Sequence, residues 1–363
     1  MSPRRGLLTM LGMILLCQPA CALGGQLKLQ RVNMKLHGQV LDFTNNHGSD
    51  NRIYSPALCQ YRDVYVYLPP GYSPDKKYPL GIFLHGNNQD EQFFITKPVQ
   101  LFDEAIACGK LPPVIVVAPD GSIQGRPSFY NSSSGYANTL AGNFEDYLMC
   151  DVWNFIMENF SIRPERDAHA LMGVSMGGGA AFGLAMKHKD RIKTAIGFLP
   201  ALNLRWVDCQ GRYERKFSPE CWGWREQLRP HEVMGRPGWG IVKIRAGTLL
   251  GPMVGRGDDA IDRLSEINPI EIMERVQLKP NDLELYVAYG GRDEFNIDAQ
   301  VESFLCRAKE LGIPVEVDFD PNGRHDLATG VRFFATSIRW TAPRLRALDN
   351  GGVQTAEPAL GKE

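Results

Sequence analysis

The chain carries almost no net charge: 40 Lys and Arg stand against 41 Asp and Glu, a formal charge of −1. That balance gives a nucleic acid or an anionic membrane surface no electrostatic reason to bind, so neither is expected as a partner. Beyond its N-terminal segment no apolar run is long enough to span a bilayer, which excludes stable membrane insertion of a mature chain. There is no C-x-x-C pair and no clustered His/Cys spacing, so no metal and no cofactor is expected. No internal repeat is present, and the sequence carries no sign of oligomeric state. At 363 residues and 44% hydrophobic content, the expectation is one main domain with an insertion.

What is present begins with a targeting pattern. Arg4 and Arg5 precede an apolar stretch from Leu7 to Leu16, and Ala20-Cys21-Ala22 forms an A-x-A cleavage site. Residues 1–22 therefore read as an export signal, with a periplasmic or secreted chain starting near Leu23. The Arg-Arg pair leaves a twin-arginine route open beside the general one. A lipoprotein signal fits less well, because no leucine-then-small approach precedes Cys17 or Cys21. An uncleaved anchor fits less well too, since the apolar stretch is short. Removing Cys17 and Cys21 leaves six of the eight cysteines, an even number. Cys209 and Cys221, close together in an irregular stretch, are the expected disulfide. The other four are expected to be free and buried.

Short alternating stretches, Leu27-Lys28-Leu29 and Arg31 to Leu36, predict strands within residues 23–60. From residue 61 to 345 apolar strand candidates alternate with helical segments. The strands are Val64–Leu68, Tyr78–Leu84, Pro113–Ala118, His169–Gly173, Ile192–Leu202, Leu283–Tyr289 and Val315–Phe319. Helices are predicted over Val99–Cys108, Asn143–Phe160 with Asn143 as N-cap, Ile297–Leu311 and Val331–Trp340. Such alternation implies an α/β fold with a mostly parallel sheet and helices on both faces. Residues 204–278 interrupt it and read as an inserted cap. This stretch holds Trp206, Trp222, Trp224 and Trp239. Residues 346–363 read as a flexible tail.

Gly173-Val174-Ser175-Met176-Gly177 matches the G-x-S-x-G elbow, with an apolar strand before it and a small-residue helix after it. A serine hydroxyl is a poor nucleophile at neutral pH. Ser175 therefore needs a histidine to take its proton and a carboxylate to orient that histidine. Among the histidines after the elbow, His188 sits at a helix end and His231 in the cap. His325 follows a late strand on a glycine-containing loop, where the base belongs. Asp293, after the preceding strand, is the first choice of acid, with Glu294 and Asp298 in reserve. Backbone N–H groups of Met176 and Asn87 are the expected oxyanion donors, while His85 is expected to shape its loop. Gly86, Asn88, Trp222 and Trp224 are candidate substrate contacts. The cap tryptophans either stack on sugar rings or aromatic acids, or form the cap's own small core.

Five motifs in one order, Phe83-Leu84-His85-Gly86, Ala118-Pro119-Asp120-Gly121, Gly173 to Gly178, Gly290-Gly291-Arg292-Asp293 and Gly323-Arg324-His325-Asp326, resemble the esterase family of α/β-hydrolases. That family includes esterase D (S-formylglutathione hydrolase), feruloyl and acetyl xylan esterases, enterochelin esterases and mycolyltransferases. The resemblance covers Arg62 to Trp340. It implies the α/β-hydrolase fold, Ser175 as nucleophile, Asp293 as acid, His325 as base, no metal, and ester hydrolysis through an acyl-enzyme. Leu327, where many members have an aromatic residue, and the cap, without counterpart in shorter members, leave the substrate open. A small-molecule or carbohydrate ester, acyl or feruloyl, is the expected substrate. Acyl transfer, or an inactive extracellular binding protein on the same scaffold, are the other readings.

Overall fold

The computed structural model of the chain describes residues 28–128, 134–237 and 240–349. The expected export signal, Trp239 and residues 350–363 lie outside them.

Eight strands form one sheet: β1 (Gln39–Phe43), β2 (Val64–Leu68), β3 (Leu80–Leu84), β4 (Ile115–Pro119), β5 (His169–Val174), β6 (Thr194–Phe198), β7 (Glu284–Gly290) and β8 (Glu316–Asp320). Their order is β1-β2-β4-β3-β5-β6-β7-β8. β2 pairs antiparallel with β1 and β4, and the remaining neighbours run parallel. Parallel strands covered on both faces need apolar side chains on both. In β2, Val64, Val66 and Leu68 enter one core while Tyr65 and Tyr67 enter the other. The two buried hydroxyls are satisfied by His47 at 2.6 Å and Asp103 at 3.0 Å.

On one face pack α1 (Pro98–Ala107) and a last helix, Leu327–Asp349, joined through Phe102 and Phe334 at 4.7 Å. On the other pack α2 (Trp153–Asn159), α3 (Met176–Lys187), α4 (Pro269–Arg275) and α5 (Ile297–Glu310). The last helix is α6. This is the α/β-hydrolase arrangement, with a cap between β6 and β7.

Several expectations are corrected. Residues 28–33 are helical, because Leu29, Val32 and Leu36 recur at helical spacing and pack onto the α1 side. The first strand comes later, at Gln39. Asn143 does not cap the following helix with its side chain. Asn138 Oδ1 instead accepts the N–H groups of Glu145 and Asp146 at 3.1 and 3.2 Å. A π-helical stretch, Tyr147–Val152, leads into α2. The cap ends near residue 268 rather than 278, since Pro269 opens α4 and Ile270, Ile272 and Met273 join the main core. Helix α6 runs to Asp349, into the stretch expected to be a tail. Cys209 and Cys221 form a disulfide. The other four cysteines are free, but Cys59, Cys108 and Cys150 are exposed and Cys306 is half-buried.

The cap has a core of its own. Trp206, fully buried, packs with Tyr213, Met234, Leu250, Met253 and Leu264, and its indole N–H donates to the Tyr213 carbonyl at 3.1 Å.

Candidate active site

Strand β5 ends and α3 begins around Ser175, which is held at φ 53°, ψ −116°. A non-glycine residue at positive φ stores backbone strain that its surroundings must hold. Here the Ser175 N–H donates to the Phe198 carbonyl at 2.9 Å, and the Ser175 carbonyl accepts from Gly179 at 3.0 Å. The turn closes only because its neighbours lack side chains. A Cβ on Gly177 would lie 2.3 Å from the Leu84 carbonyl oxygen, and one on Gly173 would lie 2.4 Å from the Gly177 oxygen.

The loops after β7 and β8 meet in the same way. A Cβ on Gly290 would stand 2.3 Å from the Gly323 oxygen, and the Arg292 N–H donates to that oxygen at 3.0 Å. This contact sets Asp293 against His325. His325 Nε2 lies 3.0 Å from Ser175 Oγ, and Nδ1 lies 2.7 Å from Asp293 Oδ2. The other Asp293 oxygen accepts the Phe295 N–H at 2.8 Å, which fixes the carboxylate in plane. Burial of His325 lowers its proton affinity. The charge and hydrogen bond of Asp293, with Glu294 and Asp326 behind them, outweigh that and raise its pKa above the usual histidine value.

The reserve acids have other roles. Glu294 accepts the His325 backbone N–H at 2.9 Å and pairs with Arg324, anchoring the loop. Asp298 is among the described residues but forms no hydrogen bond to His325; burial pushes its pKa up to about 6. His188 pairs with Glu145 at 2.9 Å. His85 is buried, with Nδ1 2.9 Å from the Gly86 carbonyl and Nε2 accepting the Gly121 N–H at 2.9 Å. Its proton therefore sits on Nδ1, and it braces the loop after β3. Gln89 was not singled out from sequence: its side-chain oxygen accepts the Gly86 N–H at 2.8 Å. Only the spacing of an amide three residues from a glycine could have suggested it.

Ser175 and His325 open into a cavity of about 390 Å³ that Gly86, Asn87, Asn88 and Met176 also border. Trp222 and Trp224 are not among its walls. They stack edge-on at 5.2 Å, with Phe217 against Trp222 and the Arg205 guanidinium over Trp224. Both rings are half-buried and pack on one another away from the cavity, rather than lining it beside Ser175 as the sequence reading expects.

Behind the loop after β3, carboxylate oxygens of Asp63, Glu91 and Asp120 lie within 4.8 Å of one another, an arrangement that could hold a cation. Arg62 already donates to Asp120 at 2.6 Å. Burial, then the neighbouring acids, hold Glu91 well above the usual carboxylate range, and burial pushes Asp63 up to about 6. Arg62 thus offsets part of the charge of this cluster.

The family model described as "Putative esterase" matches residues 55–326. The chain belongs to this esterase family. Among curated esterase-family relatives, it is 30% identical over 155 residues to Esterase Rv1288 of Mycobacterium tuberculosis, 42% of this chain and 32% of the relative. It is 31% identical over 130 residues to Endo-1,4-beta-xylanase Y of Acetivibrio thermocellus, 32% of this chain and 11% of that protein. The chain thus spans a third or less of these relatives. Solved structures share the esterase fold at low identity. A ferulic acid esterase superposes with a TM-score of 0.62 at 17% identity, covering 85% of this chain and 99% of that one. An S-formylglutathione hydrolase from Agrobacterium tumefaciens gives 0.60 at 17%, covering 85% and 96%.

Proposed function

We propose that the protein is an exported serine esterase that hydrolyses a carboxylic ester through an acyl-enzyme. Ser175 Oγ bonds to the ester carbonyl carbon while its proton passes to His325 Nε2. Asp293 holds the imidazole so that Nδ1 carries the other proton, and steadies the imidazolium that forms. The oxyanion is received by the N–H groups of Met176, at the N-terminus of α3, and Asn87. The tetrahedral adduct then expels the alcohol, which takes the proton from Nε2. Water repeats the sequence from the same side: His325 removes its proton, the carboxylic acid leaves, and the proton returns to Ser175.

The observation that carries this reading is the continuous hydrogen-bonded line from Ser175 Oγ through both His325 nitrogens to Asp293, at 3.0 and 2.7 Å. Membership in the esterase family supports it. The Cys209–Cys221 disulfide supports export, since such bonds persist in oxidising compartments. A carbohydrate ester, acyl or feruloyl, draws support from a neighbour titled a ferulic acid esterase. It draws none from Trp222 and Trp224, which pack on one another.

The test is hydrolysis of p-nitrophenyl acetate by the wild type and by Ser175→Ala. The variant is expected to lose at least about a thousandfold in kcat while keeping its melting temperature. Cleavage at the wild-type rate would remove the proposal.

A further inference from the structure

Helix α3 carries the serine elbow at its start and borders the cavity along its whole length. Met176, Gly179, Ala180, Gly183, Leu184 and Lys187 all face the cavity, at the three- and four-residue spacing of one helix face. The first and last stand eleven positions apart, a floor about 16 Å long at the helical rise. Glycine and alanine at the middle positions keep that floor low. Cap residues Leu249, Leu250, Met253 and Ile267 close over it. No charged side chain lies on this face before Lys187, which is exposed at the far end and paired with Glu145 at 2.7 Å. Polar side chains on the cavity wall, among them Asn88, Gln89, Tyr213 and Gln300, come from outside α3. The α3 floor before Lys187 and the cap residues Leu249, Leu250, Met253 and Ile267 above it are apolar and offer no partners to the hydroxyls of a sugar. This strip suits a linear hydrocarbon.

We infer that this channel takes a medium- or long-chain fatty acyl group, so that the ester cleaved at Ser175 carries a linear acyl chain laid along α3. The inference rests on the serine-esterase reading and adds the acyl class to it. The polarity of the site sets the direction. The leaving oxygen must lie at His325 Nε2 and the oxyanion at the Met176 N–H, which leaves the α3 side for the acyl chain. The alcohol is then directed toward Leu327 and Val331 of α6.

The experiment is a series of p-nitrophenyl esters from acetyl to tetradecanoyl, with feruloyl alongside, on the wild type, Ser175→Ala and Ala180→Phe. For the wild type, kcat/KM is expected to rise roughly fourfold per methylene and to level off at around ten to twelve carbons, about the length of α3. Ala180→Phe narrows the channel near the serine, and the decanoyl-to-butyryl ratio of kcat/KM is expected to fall at least about tenfold. A wild-type maximum at acetyl or feruloyl, or an unchanged ratio in Ala180→Phe, overturns the inference. So does a gain with alcohol length instead of acyl length across alkyl esters. Those outcomes leave Ser175-dependent hydrolysis standing, whereas no Ser175-dependent cleavage of any ester overturns the esterase reading itself.

Discussion

At the scale of single residues, the site depends on one imidazole with two different neighbours. On the proposed mechanism His325 is neutral when it accepts the Ser175 proton, so acylation should rise with pH through the His325 pKa and then plateau. Burial lowers that pKa, but Asp293 overcomes the effect and the midpoint is expected above the ordinary 6.5. Asp293→Asn removes the charge and leaves burial unopposed by it. The midpoint should therefore move to lower pH, while the plateau rate falls by roughly a thousandfold or more because the wrong tautomer is held. A pH–rate profile of kcat/KM for both proteins checks this, and an unmoved midpoint would assign the titration to another group. Ser175, Asp293 and His325 could be named from chain order, because the elbow and the ends of successive strands restrict where each group stands. Chain order puts Asp293 first but leaves Glu294 in reserve, since both follow the same strand. What separates them is the approach of Gly290 to Gly323, a through-space contact between loops.

At the scale of elements, the elbow is where sequence and packing agree most closely. Gly177 sits against two backbone carbonyls, 2.3 Å from Leu84 O and 2.5 Å from His85 O for an added Cβ, with no flexible side chain to yield. Gly177→Ala is expected to cost about 1–3 kcal/mol, the usual range for overpacking. Gly223→Ala, where nothing lies within 4 Å of the added Cβ, should stay within about 0.5 kcal/mol of wild type. Chemical denaturation of the two variants decides it, and equal destabilisation would contradict the tight elbow. The N-terminal segment is helical where its sequence pattern predicts strands. Val32, Met34 and Leu36 alternate, while Leu29, Val32 and Leu36 recur at helical spacing, and packing of the second set against the α1 layer, with Met34 left exposed, selects the helix. The cap was legible as an interruption of the strand-helix alternation. Whether Trp206, Trp222 and Trp224 pack inside the cap or face a ligand was open in the sequence, because an aromatic ring reads the same in either setting.

At the scale of the whole molecule, the order of eight strands brings the ends of β3, β5, β7 and β8 to one side, so four segments far apart in the chain supply one site. The alternation of apolar strands and amphipathic helices was enough to expect this sheet. The cavity was not, since it is enclosed only where the cap settles over α3. The central claim is that Ser175 is acylated with His325 as base. It is tested most directly by mixing the protein rapidly with excess p-nitrophenyl ester and following p-nitrophenol release in the first turnover. The account predicts a burst of one equivalent per chain, whose rate increases with pH through the His325 titration and which is absent in Ser175→Ala. A burst of the same size in Ser175→Ala would contradict it.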